Sequence, residues 1–120
     1  MQYTTKSTVE DLLINRSVEV ELYYEDTSWP SIIVEGKVDT GADSCSIDES
    51  LATHLGWEVV GNKNVKSSLG KERREVYRGQ VTVRGVKFWM DATATDRSSL
   101  SHSLLVGHHV IRDLVELEEE

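Results

Sequence analysis

A carboxylate set at the exit of an apolar run constrains this chain more than any other feature. Ile32-Ile33-Val34-Glu35-Gly36-Lys37-Val38 reads as a buried strand, and Asp39-Thr40-Gly41-Ala42-Asp43-Ser44 follows it directly. A strand delivers a side chain to a fixed place, and a glycine turn lets backbone N–H groups approach a carboxylate closely. An acid–base aspartate needs that geometry. The same residues also fit a plain turn in which the carboxylate caps local N–H groups.

Asp39-Thr40-Gly41-Ala42 resembles the Asp-Thr-Gly-Ala loop of retropepsin-like aspartic proteases. A second apolar-apolar-Gly, Leu105-Val106-Gly107, precedes a helical-looking run from His108 to Leu114 and is similar to the family's downstream motif. Thr95-Asp96-Arg97-Ser98-Ser99 and Leu104-Leu105-Val106-Gly107 together look like the branch found beside bacterial ATP-grasp peptide ligases, which carries the label ATP-dependent zinc protease. The match covers roughly residues 18 to 117.

That resemblance implies a mostly β fold, a retropepsin-like closed barrel with one or two short helices. It also implies an aspartic endopeptidase. Peptide hydrolysis by carboxylates needs two of them in contact, sharing one proton, because like charges that close cannot both ionise. One is the base on a water while the other donates to the substrate carbonyl. The chain has a single Asp-Thr-Gly, so the family's solution is a homodimer with one aspartate from each protomer at the two-fold axis. Asp39 would be the catalytic residue, Thr40 would hydrogen-bond across the dimer, Gly41 would supply a backbone N–H, and Ala42 completes the loop. Val106 and Gly107 would support it. The Ser67–Tyr77 hairpin would be a flap, placing Ser68, Leu69, Gly70 and Lys71 over an extended peptide or protein substrate.

Two positions depart from viral members of the family. The flap has Gly70 as its one glycine, and His108 stands where an arginine usually braces the loop and the dimer. These keep a second reading open: a catalytically silent module of the same fold that binds a partner or dimerises.

At 120 residues the chain is expected to form one domain over residues 18–117, with an N-terminal segment 1–17 and an acidic tail 118–120. A net charge of −8 argues against nucleic acid as a partner. Cys45 is the single cysteine, which leaves no intrachain disulfide and fits a reducing compartment. No apolar run reaches the ~18 residues of a membrane span and no signal peptide is visible, so a cytoplasmic protein away from membranes is expected. His-Glu-x-x-His is missing, His108 and His109 are neighbours that face different ways on a helix, and His54 and His102 stand apart. Neither a metal site nor a cofactor is expected. Cys45 reads as a small buried residue, and Trp29, Trp57 and Trp89 as core or interface anchors.

Local patterns fill in the elements. Val18, Val20, Leu22 and Tyr24 alternate with polar residues as a half-buried strand, and Trp29 to Val38 returns as its partner. Ser7-x-x-Glu10 and Ser46-x-x-Glu49 are capping-box patterns. The second is expected to open a helix over 48–55 that Gly56 stops. Trp57–Val60 reads as a strand and Gly61–Asn64 as a turn. Two arms between Val65 and Val83 flank an exposed tip at 69–73, and Arg84-Gly85 marks the next hairpin. Leu104–Val106 is a short buried strand, Val110, Ile111 and Leu114 form an apolar helical stripe, and Val115–Glu118 alternates like a last strand, expected to pair near the two-fold axis.

Overall fold

A computed structural model describes residues 16–39, 41, 42, 44–67 and 70–119. The Ser7 capping pattern lies outside them. Among the described residues the chain forms seven strands and two helices. Strand β1 spans Ser17–Leu22, β2 Ile32–Asp39, β3 Cys45–Asp48, β4 Glu58–Ser67, β5 Gly70–Val83, β6 Val86–Thr95 and β7 Leu104–Gly107. Helix α1 is Glu49–Leu55 and α2 is His108–Glu119. The fold is mostly β, as its alternating sequence requires.

The strands pair in the order β1-β2-β7-β3-β6-β5-β4, and β1 also pairs with β5. Six strands therefore form a ring of pairings, and β4 extends from it beside β5. Val18, Val20 and Leu22 of β1 point inward, joined by Ile47, Val81, Val83, Met90, Leu104 and Val106 from strands around the ring. Burial of such side chains is the main stabilising term, at about 1.5–3 kcal/mol each.

Two turns are built as their residues dictate. Arg84 and Gly85 both have positive φ, 53° and 81°, the left-handed pair that a two-residue hairpin needs to match strand twist. Gly56, at φ 74°, ends α1 by donating its N–H to the Thr53 carbonyl, and the next N–H, of Trp57, reaches the Ala52 carbonyl.

Several expectations are corrected. Strand β2 begins at Ile32, and its pattern alternates: Ile33 is 65% exposed, so the apolar run is half-buried and not wholly buried. Gly61–Asn64 is not a turn; β4 runs straight through it, and the irregularity is a register shift between Val59 and Gly61. The residue left out of the ladder there is Val60, while Gly61 pairs with Val76. Ser46 lies within β3, so the second capping box does not form; the residue before α1 is Asp48, with no side-chain cap bond. The Val115–Glu118 segment belongs to α2 and is not a strand. Its alternation coincides with the end of a helical stripe whose buried members are Val110, Ile111 and Leu114. Among the described residues no helix is long and apolar enough to cross a membrane.

The tryptophans separate. Trp57 is 4% exposed, whereas Trp29 and Trp89 are surface residues at 62% and 59%. Trp57 donates its indole N–H to the Tyr23 carbonyl at 2.8 Å and lies over Gly79, where a Cβ would stand 1.8 Å from its ring. Gly79 in mid-strand is thus the slot that admits the ring. Gly79→Ala is expected to destabilise the protein by about 3 kcal/mol or more in urea unfolding, through overpacking against a fixed ring. Gly61→Ala, where a Cβ meets nothing within 4 Å, should change stability by less than about 0.5 kcal/mol in the same measurement.

Candidate active site

Strand β2 is held on both sides as far as Val38, and Asp39 at its end is held from β7. Antiparallel β1 covers one edge, and parallel β7 covers the other in a register that sets Val38 beside Val106 and Asp39 beside Gly107. The Asp39 side chain is half-buried. Its Oδ1 accepts the Gly41 N–H at 3.0 Å, and its carbonyl accepts the Ala42 N–H at 3.2 Å. The loop therefore points one backbone donor, the Gly41 N–H, at the carboxylate.

The steric role of glycine falls elsewhere than expected. A Cβ at Gly41 would stand 3.4 Å from Asp39 Oδ1, an ordinary contact. At Gly107 a Cβ would lie 2.8 Å from the Ser44 carbonyl carbon, 2.9 Å from its oxygen and 3.1 Å from the Ala42 oxygen. Backbone meets backbone there, so Gly107 is the glycine the site requires. The next residue locks the contact: His108 donates its N–H to the Ala42 carbonyl at 2.9 Å. The His108 side chain is exposed, and its backbone braces the loop.

Beneath the loop, Cys45 is fully buried and its sulfur accepts the Gly107 N–H at 3.4 Å. Burial pushes the thiol up to about 11 from an ordinary 9.0, against a smaller lowering by the Gly107 bond. Such a thiol is a packing residue and not a nucleophile.

Thr40, Ser68 and Leu69 lie outside the described residues. Gly70 and Lys71 belong to β5, where Gly70 pairs with Ser67 and Lys71 with Lys66. Glu72 and Arg73 also continue the ladder, opposite Val65 and Asn64, so the expected tip at 69–73 is largely strand. The hairpin reaches the Asp39 loop through Lys63, whose Nζ donates to Ser44 Oγ at 3.1 Å.

Arg97 carries a role that sequence reasoning did not assign. It is 9% exposed, its Nε donates to the His102 carbonyl at 2.9 Å, and its N–H donates to Asp48 Oδ1 at 2.8 Å. Burial lowers its pKa, partly offset by the Asp48 charge. Hydrogen bonds from Ser50 and from the Arg97 N–H hold the Asp48 carboxyl below the usual range. Asp48 also donates its N–H to the Ser103 carbonyl. The 96–103 loop is thereby pinned to the end of β3, ahead of β7. An arginine in a polar loop gives no local sign of this.

No hydrogen bond or ion pair joins Asp39 to another carboxylate among the described residues, and no group of three or more His, Cys, Asp or Glu among them is placed to hold a metal ion. The described residues of this loop thus offer one positioned carboxylate, that of Asp39. That is half of what a carboxylate dyad needs.

No protein-family model matches this sequence, and no curated protein sequence does either. Solved structures do. The solution structure of the simian foamy virus protease aligns over 83% of this chain and 96% of its own, with a TM-score of 0.60 at 16% identity. A foamy viral protease-reverse transcriptase in complex with an RNA/DNA hybrid aligns over 81% of this chain and 12% of its own, with a TM-score of 0.55 at 18% identity. A Legionella pneumophila protein of unknown function (DUF785) aligns over 83% of this chain and 86% of its own, with a TM-score of 0.53 at 16% identity. At such identities the likeness concerns the fold, which is retropepsin-like.

The Cys45 thiol gives the site a pH signature. The unfolded chain ionises it near 9.0 while the fold keeps it protonated to about 11, so its contribution is complete below about 9 and is lost as pH rises toward 11. Between about pH 8 and about pH 10.5, the parent should lose up to about 2 kcal/mol more stability than Cys45→Ala in urea unfolding.

Proposed function

We propose that the protein is a homodimeric aspartic endopeptidase in which Asp39 of each protomer contributes to a shared dyad. The observation that carries this reading is the Asp39 loop itself. In a retropepsin-like fold, the carboxylate at the end of β2 accepts the Gly41 N–H, and the loop is braced from β7 by Gly107 and the His108 N–H. In the dimer one carboxylate activates a water and the other donates its proton to the scissile carbonyl. Thr40 would bond across the two-fold axis, and Gly41 and Ala42 would keep the loop backbone in place. An extended peptide would lie as an added strand under the β4–β5 hairpin, beside Ser68, Leu69, Gly70 and Lys71. The ring of strand pairings supports a closed barrel. Within the fold we favour the bacterial branch associated with ATP-grasp peptide ligases, on the segments 95–99 and 104–107.

A second reading is a catalytically silent module that binds a partner. The helical course of Val115–Glu118 favours it, because the strand expected to pair across the two-fold axis is not formed there.

Asp39→Asn decides between them. The amide cannot be a base, so the variant should keep the parent's unfolding free energy within about 1 kcal/mol and lose peptide cleavage by at least about a hundredfold. Equal cleavage by parent and variant would falsify the mechanism. Light scattering should report a dimer whose dissociation on dilution parallels loss of activity. Activity should also survive a chelator; reversible loss restored by zinc would point to metal chemistry instead.

A further inference from the structure

The β4–β5 hairpin carries charge of the opposite sign to the chain as a whole. Net charge is −8, yet Lys63, Lys66, Lys71, Arg73, Arg74 and Arg78, six of the 13 Lys and Arg, lie on these two strands. Strand register divides most of them between two faces. Lys63 stands opposite Arg74, Val65 opposite Glu72 and Gly61 opposite Val76 on one face, while Asn64–Arg73 and Lys66–Lys71 share the other. The first face looks toward the Asp39 loop. Lys63, itself exposed, bonds Ser44 there, and Val65, Arg74 and Val76 are half-buried, whereas Lys66, Lys71 and Arg73 on the other face are all exposed.

On that inner face two cations oppose each other directly, which is destabilising unless an anion joins them. Glu72 answers part of the charge, accepting Arg74 Nη2 at 3.0 Å. The Arg74 Nε is buried and has no hydrogen-bond partner among the described residues. A buried guanidinium donor left unpaired is costly, and an added carboxylate removes the cost.

We infer that Lys63 and Arg74 form a subsite for an acidic side chain of the bound chain, so that the substrates are acidic peptides. This rests on the peptidase reading, which sets the peptide beneath the hairpin. Arg74, whose side chain is 26% exposed, turns its unpaired Nε–H out to give the carboxylate a directed bond, and the Lys63 ammonium adds charge. The acidic body repels the same peptide elsewhere, so the hairpin also fixes its register in the groove.

The test is binding of full-length Asp39→Asn protein to a fluorescent positional-scanning peptide library. At one position Glu or Asp should bind about tenfold tighter than Gln or Asn, as expected for a charge-assisted bond. Arg74→Gln and Lys63→Gln should each bring that ratio toward one, and Arg74→Lys should retain part of it. Should one variant fail to fold, the other still decides. Equal binding of acid and amide peptides, no binding of acidic peptides, or a preference that survives both glutamine variants overturns the inference. Cleavage by the parent separates the two proposals. Peptides cut without acidic preference would sink the subsite and leave the peptidase. Acidic peptides bound in this way but never cut would do the reverse.

Discussion

Gly107 meets the Asp39 loop backbone to backbone, and the site depends on that contact. A Cβ at Gly107 would stand 2.8 Å from the Ser44 carbonyl carbon and 3.1 Å from the Ala42 oxygen, so only a glycine lets β7 come this close. The approach lets the His108 N–H reach the Ala42 carbonyl and the Gly107 N–H reach the Cys45 sulfur. It also fixes the parallel register that places Asp39 at the strand end. Loop, bracing glycine and buried thiol thus form one packed unit, and a disturbance at any of them is felt at the carboxylate.

Much of this was legible in sequence because it follows short-range rules. Alternation at Val18–Leu22, the Arg84-Gly85 turn, the Gly56 stop and the Val110–Leu114 stripe each express one local geometry. The failures occur where two rules compete. Gly61 can open a turn or sit within a strand, and a 10-residue strand, Glu58–Ser67, overrode the turn. Val115-Glu116-Leu117 fits a strand's period, but the helix begun at His108 continues through it. Ser46 carries a capping pattern, yet its backbone is committed to β3 beside β6 and β7.

Features set by distant partners could not be read locally. Asp-Thr-Gly drew attention to Gly41, whereas the crowded glycine is Gly107, against residues far back in the chain. Gly79 looks like a weak point in a strand until Trp57 is laid over it. Arg97 reads as loop charge until Asp48 and His102 are brought to it. In each case the informative quantity is a long-range contact, which pattern and propensity do not encode.

The pairing of Gly107 with Cys45 joins residues 62 positions apart. During synthesis the Asp39 segment leaves the ribosome well before the residue that shapes its loop. Closing so long a segment carries an entropic cost before its contacts return anything. A nascent chain halted short of β7 carries the Asp-Thr-Gly letters without the brace from Gly107 and His108. The arrangement acts as a timing device: the carboxylate receives its full setting only once β7 and His108 have been made.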